Sequence, residues 1–108
     1  MNNEVAAFLA FLKDKRQLSD NTLMSYQRDL GQTVTYLEDR GIDDWQQVDH
    51  YLLIDLLNNL RQQGKANSTI NRVISSLRQF YKYMIRHHNL IINPMEMIDH
   101  QYTFNQPP

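Results

Sequence analysis

The sequence predicts an all-α domain, and three observations carry the prediction. Only three Gly and three Pro punctuate the 108 residues, and two of the glycines, Gly41 and Gly64, stand where apolar stripes stop. Between them apolar residues recur at steps of three and four, the spacing of one helix face. No segment alternates apolar and polar at the period of two that marks a strand. Apolar residues make up 42% of the chain, too many for a disordered segment. A chain of this length buries roughly 65% of its unfolded surface in one core.

The first helix is expected from Glu4 to Lys15, with Val5, Phe8, Leu9 and Leu12 on one face and Phe11 off it, turned toward a partner. The second opens at Ser19, whose hydroxyl accepts from a first-turn amide, while Leu18 and Leu23 form a hydrophobic staple. Its core stripe is Leu23, Tyr26, Leu30, Val34 and Leu37, and Gly41 supplies a left-handed stop. Trp45 follows in a loop, as a plug for the core. Asp49 caps the third helix between the staple residues Val48 and Leu53, and Leu56, Leu57 and Leu60 lead to Gly64.

The fourth helix begins at Asn67 or Ser68 and reaches about His88. Its core side carries Ile70, Val73, Ile74, Leu77, Phe80, Tyr81, Met84 and Ile85. Asn93 and Pro94 supply a cap and a first-turn proline for a short fifth helix to about Asp99. The domain is therefore expected over residues 1–100, with 101–108 as a tail or the start of a linker.

Composition narrows the function classes. Cysteine is absent, which excludes disulfides and thiolate metal sites and suits a reducing compartment. The start Met1-Asn2-Asn3-Glu4 lacks the charged region of a secretory signal. The apolar run Val5 to Leu12 is far short of the roughly 20 residues that cross a bilayer, so a cytoplasmic location without membrane attachment is expected. Gly31, Gly41 and Gly64 stand alone, which removes a phosphate-binding glycine loop and nucleotide hydrolysis with it. His50, His87, His88 and His100 show no metal-ligand spacing. Glu96 and His100, four apart, read as an exposed pair, and Tyr26, Tyr36 and Tyr81 read as core residues with tethered hydroxyls. No metal or cofactor is expected.

The net charge of −1 hides an asymmetry. Glu38 to Asp55 holds six acids and one base, whereas Arg61 to His88 holds six bases and no acid. Such a division suits a domain with one side turned to a polyanion. On the fourth helix Ser68, Arg72, Ser75, Gln79, Lys82 and Arg86 recur opposite the core within about 80°, with no carboxylate among them. A solvated helix face ordinarily mixes Glu with Lys at four-residue spacing. A row of Arg, Lys, Gln and Ser instead matches what a helix needs to enter a major groove and hold phosphates. The second helix repeats the pattern more weakly with Asn21, Ser25, Arg28 and Gln32, beside Thr22. The other reading is a protein-interaction module whose basic face meets an acidic protein.

The run Leu18-Ser19-Asp20-Asn21-Thr22-Leu23-Met24-Ser25-Tyr26-Gln27-Arg28-Asp29-Leu30 resembles the LSxNTxxxYxRDL opening of the N-terminal core-binding domain of tyrosine site-specific recombinases. Gly41, Trp45, Leu60 to Gly64, Ser68-Thr69-Ile70-Asn71-Arg72, Ser76-Leu77-Arg78-Gln79-Phe80-Tyr81-Lys82-Tyr83 and Asn93-Pro94 follow that family in order. The likeness is greatest to bacterial Xer-type members.

The resemblance implies a four- to five-helix orthogonal bundle, half of a C-shaped clamp on duplex DNA. Its second and fourth helices would face the major groove. It implies DNA contact through Asn21, Thr22, Ser25, Arg28, Gln32, Lys65, Ser68, Thr69, Arg72, Ser75, Gln79, Lys82 and Arg86. It also implies that catalysis belongs to a C-terminal domain, so that this chain alone is no enzyme. Neighbouring recombinase subunits would meet it through the first helix and through the fifth, with Met95 and Met97. The lysine-free stretch Asp99 to Pro108 departs from the family's usual basic linker.

Overall fold

The computed structural model describes residues 1–98, and over them the chain is helical without a strand. Four α-helices follow one another: α1 (Asn2–Phe11), α2 (Asp20–Asp39), α3 (His50–Gln62) and α4 (Asn67–His87). The expected linker at 101–108, and the expected pairing of Glu96 with His100, lie outside the described residues.

Helix α1 ends earlier than expected as an α-helix and continues as a wider π turn over Leu12–Arg16. Val5, Phe8 and Leu12 are buried along it. Lys13, Lys15 and Arg16 crowd its end, where cations suit the exposed carbonyls. Helix α2 starts as predicted, with Ser19 Oγ accepting from the Thr22 amide at 3.3 Å. It stops in a Schellman turn: Gly41, at φ +80°, donates to Glu38 O, and Ile42 donates to Leu37 O, both at 3.0 Å. Helix α3 repeats both devices. Asp49 Oδ1 accepts from the Leu52 amide at 2.9 Å, and Gly64, at φ +83°, closes the far end while Lys65 donates back to Leu60 O at 3.1 Å.

Helix α4 packs against each of the other three helices, and its apolar side is the axis of the core. Ile70, Val73, Ile74, Leu77, Phe80, Tyr81 and Met84 are buried along it. Ile85, expected in that stripe, is 39% exposed instead. It stands at the stripe's margin near the helix end, where it borders a groove with Asn93 and Glu96. Trp45 is the expected plug: it is 2% exposed, its ring lies 4.6 Å from Phe80, and its Nε1 donates to Met1 O at 3.1 Å.

Past α4 the chain turns at Asn89, whose φ is +58°. The expected fifth helix is helical over its described residues 95–98, with Asp99 outside the described residues, and is begun by Asn93 Oδ1 accepting from the Met95 amide at 2.9 Å. Met95 and Ile98 are fully buried in the bundle's own core, so Met95 has no surface to offer a neighbouring subunit, whereas Met97 is 51% exposed. Phe11, expected to face a partner, packs on Tyr83 and His87 at ring separations of 5.2 and 5.1 Å and is half-buried.

Candidate nucleic-acid interface

Helix α4 carries Arg72, Arg78, Lys82 and Arg86 but no Asp or Glu. Its apolar side is taken by the core, so the remaining polar positions are forced to the outside. Ser68, Ser75, Lys82 and Arg86 are exposed, and Arg72 and Gln79 are half-buried beside them. On α2, Asn21, Thr22, Arg28 and Gln32 are exposed and Ser25 is half-buried. Lys65, in the turn before α4, is exposed, and Thr69 in the first turn of α4 is half-buried.

Most of these residues gather along three grooves. In one, Thr22, Ser25 and Tyr26 of α2 face Arg72, Ser75 and Ser76 of α4. The ridge of α4 continues with Gln79, Lys82 and Arg86 along a second groove, walled by Phe11 and Arg16 from α1 and its π turn. Arg28 and Gln32 open to the other flank of α2, where they line a third groove beside α3 together with Gln63 and Lys65. Arg72 and Lys82 thus share one ridge, ten residues or about 15 Å apart along the helix. Arg28 reaches the surface on the α3 side of α2 rather than beside α4. Asn21, Ser68 and Thr69 line none of the three grooves.

One expectation needs correction. The α4 stripe read as free of carboxylates, yet Arg72 meets one that arrives from α2. Its Nε donates to Asp29 Oδ2 at 3.1 Å and its Nη2 to Asp29 Oδ1 at 2.9 Å, a two-point pair. Ser76 Oγ adds a third hydrogen bond to Asp29 Oδ2 at 2.9 Å. The Asp29 side chain is 0% exposed and that of Arg72 is 39% exposed. Hydrogen bonding to Asp29 holds the Arg72 pKa above the ordinary guanidinium value, against the opposing effect of partial burial.

Asp29, Ser76 and Tyr26 were missed as site residues by pattern alone. The available signal was that Asp29 is the only acid between Asn21 and Leu37, on the flank between the core stripe and the outer face. Within α2 the Thr33 hydroxyl also bonds back to Asp29 O at 2.9 Å, so the buried segment is satisfied locally. Elsewhere the acidic half of the chain is tied down by its own contacts. Tyr36 of α2 donates to Asp55 Oδ2 of α3, and Arg40 lies 3.6 Å over the Tyr36 ring while reaching the same oxygen at 3.3 Å.

No group of three or more His, Asp or Glu among the described residues is placed to hold a metal ion, and no helix there is long and apolar enough to cross a membrane. Along α2 and α4 the arrangement presents N–H and O–H donors together with positive charge.

The family model for the phage integrase N-terminal SAM-like domain matches residues 5–88. The chain is 41% identical to tyrosine recombinase XerD of Oceanobacillus iheyensis over 73% of its length. It is 37% identical to tyrosine recombinase XerC of Azotobacter vinelandii over 80% of its length, and 32% identical to XerC of Herpetosiphon aurantiacus over 92%. It spans only 27%, 29% and 32% of those three relatives respectively. No solved structure is significantly similar to it. A match across nearly the whole helical bundle makes this chain a member of the phage integrase N-terminal SAM-like domain family.

Proposed function

We propose that this chain is the DNA-clamping domain of a Xer-type tyrosine recombinase, a sequence-specific binder of duplex DNA in site-specific recombination. The observation that carries the reading is the outer ridge of α4, from Arg72 through Ser75, Gln79 and Lys82 to Arg86, which has no acid of its own and runs beside the hydroxyl-bearing start of α2. Asp29 nonetheless pairs with Arg72, and Glu96 lines the groove beside Lys82 and Arg86. Gln suits a base edge, Arg suits either a base edge or a phosphate, and Lys and Ser suit phosphates. Arg28, Gln32 and Lys65 extend the donor surface around α2, while Asn21, Ser68 and Thr69 add donors at the starts of the two helices.

The chain by itself binds and does not cleave. Strand cutting and rejoining fall to a C-terminal catalytic domain of the same protein, working in the cytoplasm. Neighbouring recombinase subunits meet the bundle at α1 and at the segment 91–98, where Ile91, Ile92 and Met97 are 85%, 75% and 51% exposed.

Fluorescence anisotropy with labelled duplex DNA tests the reading. Lys82→Ala and Arg86→Ala should each weaken binding about five- to tenfold at low salt, as expected for loss of a phosphate contact, while Lys15→Ala should have a smaller effect. Equal losses from all three would reduce the interaction to diffuse charge attraction. No binding of any duplex at low salt would remove the reading and leave an acidic protein as the partner of the α4 ridge.

A further inference from the structure

We propose that the groove between α2 and α4 seats a single phosphate of the DNA backbone. Arg72 would hold it end-on, with the hydroxyls of Thr22, Ser25 and Ser75 around it, and buried Asp29 would act as the positioning residue. The inference rests on the DNA-binding reading and assigns a role to one part of that surface.

The geometry of Arg72 carries it. A guanidinium has five N–H donors in a fixed fork. Asp29 takes the Nε hydrogen and one Nη2 hydrogen, so the other Nη2 hydrogen and one Nη1 hydrogen remain side by side on the end-on edge, and the second Nη1 hydrogen points back toward Cδ. That edge is the one that grips a phosphate with two parallel bonds. The residues sharing the groove, Thr22, Ser25 and Ser75, bring short hydroxyls and no second charge; that of Thr22 also bonds Ser19 Oγ at 3.0 Å and donates to the groove when Ser19 is the donor in that bond. A base edge presents acceptors in the plane of the pair and calls for a long side chain that reaches outward. Arg72 is instead anchored at its Nε end to a carboxylate sealed in the bundle, which fixes its orientation and shortens its reach. Short hydroxyls around an anchored guanidinium suit a compact tetrahedral anion.

Asp29 also changes the electrostatics. Pairing cancels most of the net charge of Arg72, so the contact works through directed hydrogen bonds and displaces few counterions from the DNA. This separates it from Lys82, whose contribution is that of a bare charge. The two residues should therefore differ in the salt dependence of the binding they support.

The test measures affinity of the chain for three duplexes of unrelated sequence across a range of salt concentrations. Asp29→Asn combined with Arg72→Gln replaces the ion pair by two neutral amides and should weaken all three duplexes alike, about tenfold, the scale of one to two lost hydrogen bonds. The slope of log affinity against log salt should stay at the wild-type value. Lys82→Ala should lower that slope by about one. Asp29→Asn alone leaves Arg72 as an uncompensated cation and should steepen the slope by about one, which a merely structural role for Asp29 does not predict.

Thr22→Val and Ser75→Ala, which leave the ion pair intact, should each cost about threefold on every duplex. They keep the question open to refutation if the double variant fails to fold. A loss that depends on duplex sequence would show base reading by Arg72, and a slope lowered by one in the double variant would show an ordinary free cation. An unchanged affinity in the double variant and in both hydroxyl variants would show no contact; each of these outcomes overturns the phosphate seat while leaving DNA binding in place. Wild-type chain that binds none of the duplexes overturns the DNA-binding reading itself.

Discussion

Asp29 and Arg72 form a pair with unequal surroundings: the carboxylate is 0% exposed, whereas its partner keeps 39% of its side chain in contact with solvent. The inequality makes the two truncations unequal. Arg72→Ala leaves a sealed carboxylate with Ser76 as its remaining side-chain donor, and stranding a buried charge costs about 3 kcal/mol. Asp29→Asn leaves a guanidinium that can turn to water, with a cost nearer 1 kcal/mol. Urea unfolding followed by circular dichroism measures both. A larger loss for Asp29→Asn would mean that the carboxylate is better hydrated than its burial implies.

Tyr36 makes stability fall in alkali. Burial, and then its hydrogen bond to Asp55, push its pKa up to about 12, from an ordinary value near 10. The folded chain thus holds this proton more tightly than the unfolded one. The resulting stabilisation is complete below pH 10 and is lost as the pH climbs from about 10 to about 12. Tyr36→Phe should flatten the decline over that window without abolishing it, because burial also raises the pKa of Tyr81 and of Tyr83. Midpoints of urea unfolding taken between pH 9 and 11.5 provide the check, and identical slopes for the two proteins would contradict the assignment.

Trp45 and Tyr81 touch, with ring centroids 6.0 Å apart, yet they should respond oppositely to truncation. Trp45 fills the core between Phe80 and Tyr81 and donates to Met1 O, so Trp45→Ala should cost about 4 kcal/mol through cavity formation. Tyr81 is fully buried and its hydroxyl has no hydrogen-bond partner among the described residues. Tyr81→Phe removes an unsatisfied polar atom and should leave stability unchanged or raise it by up to about 1 kcal/mol. Thermal unfolding of the two variants checks the contrast, and a clear loss in Tyr81→Phe would reveal a partner for the hydroxyl.

Where local chemistry decides an element, the sequence was enough. Ser19 and Asp49 cap their helices because a short side-chain oxygen can reach an amide three residues on. Gly41 and Gly64 end α2 and α3 because both turns require positive φ. The core stripe of α4 followed from its period, except at Ile85, which stands at the stripe's margin on a groove and is 39% exposed. Asp29 and Arg72 are 43 residues apart, and nothing in either helix alone indicates that they meet. Their contact depends on how α2 and α4 stack, a property of the whole bundle. The same reason hid the burial of Met95, which reads as a surface residue on a short helix until the turn at Asn89 folds it inward.

The central claim is that adjoining outer faces of α2 and α4 receive duplex DNA, and amide chemical-shift mapping of the isotope-labelled chain during titration with a short duplex tests it most directly. The account predicts that the amides of Thr22, Ser25, Ser75, Gln79 and Lys82 move together and saturate at one stoichiometry, while those of Asp43, Asp44 and Asp49 stay in place. Shifts centred on α3 and its acidic approach, or a spectrum that duplex DNA leaves unchanged, would contradict it.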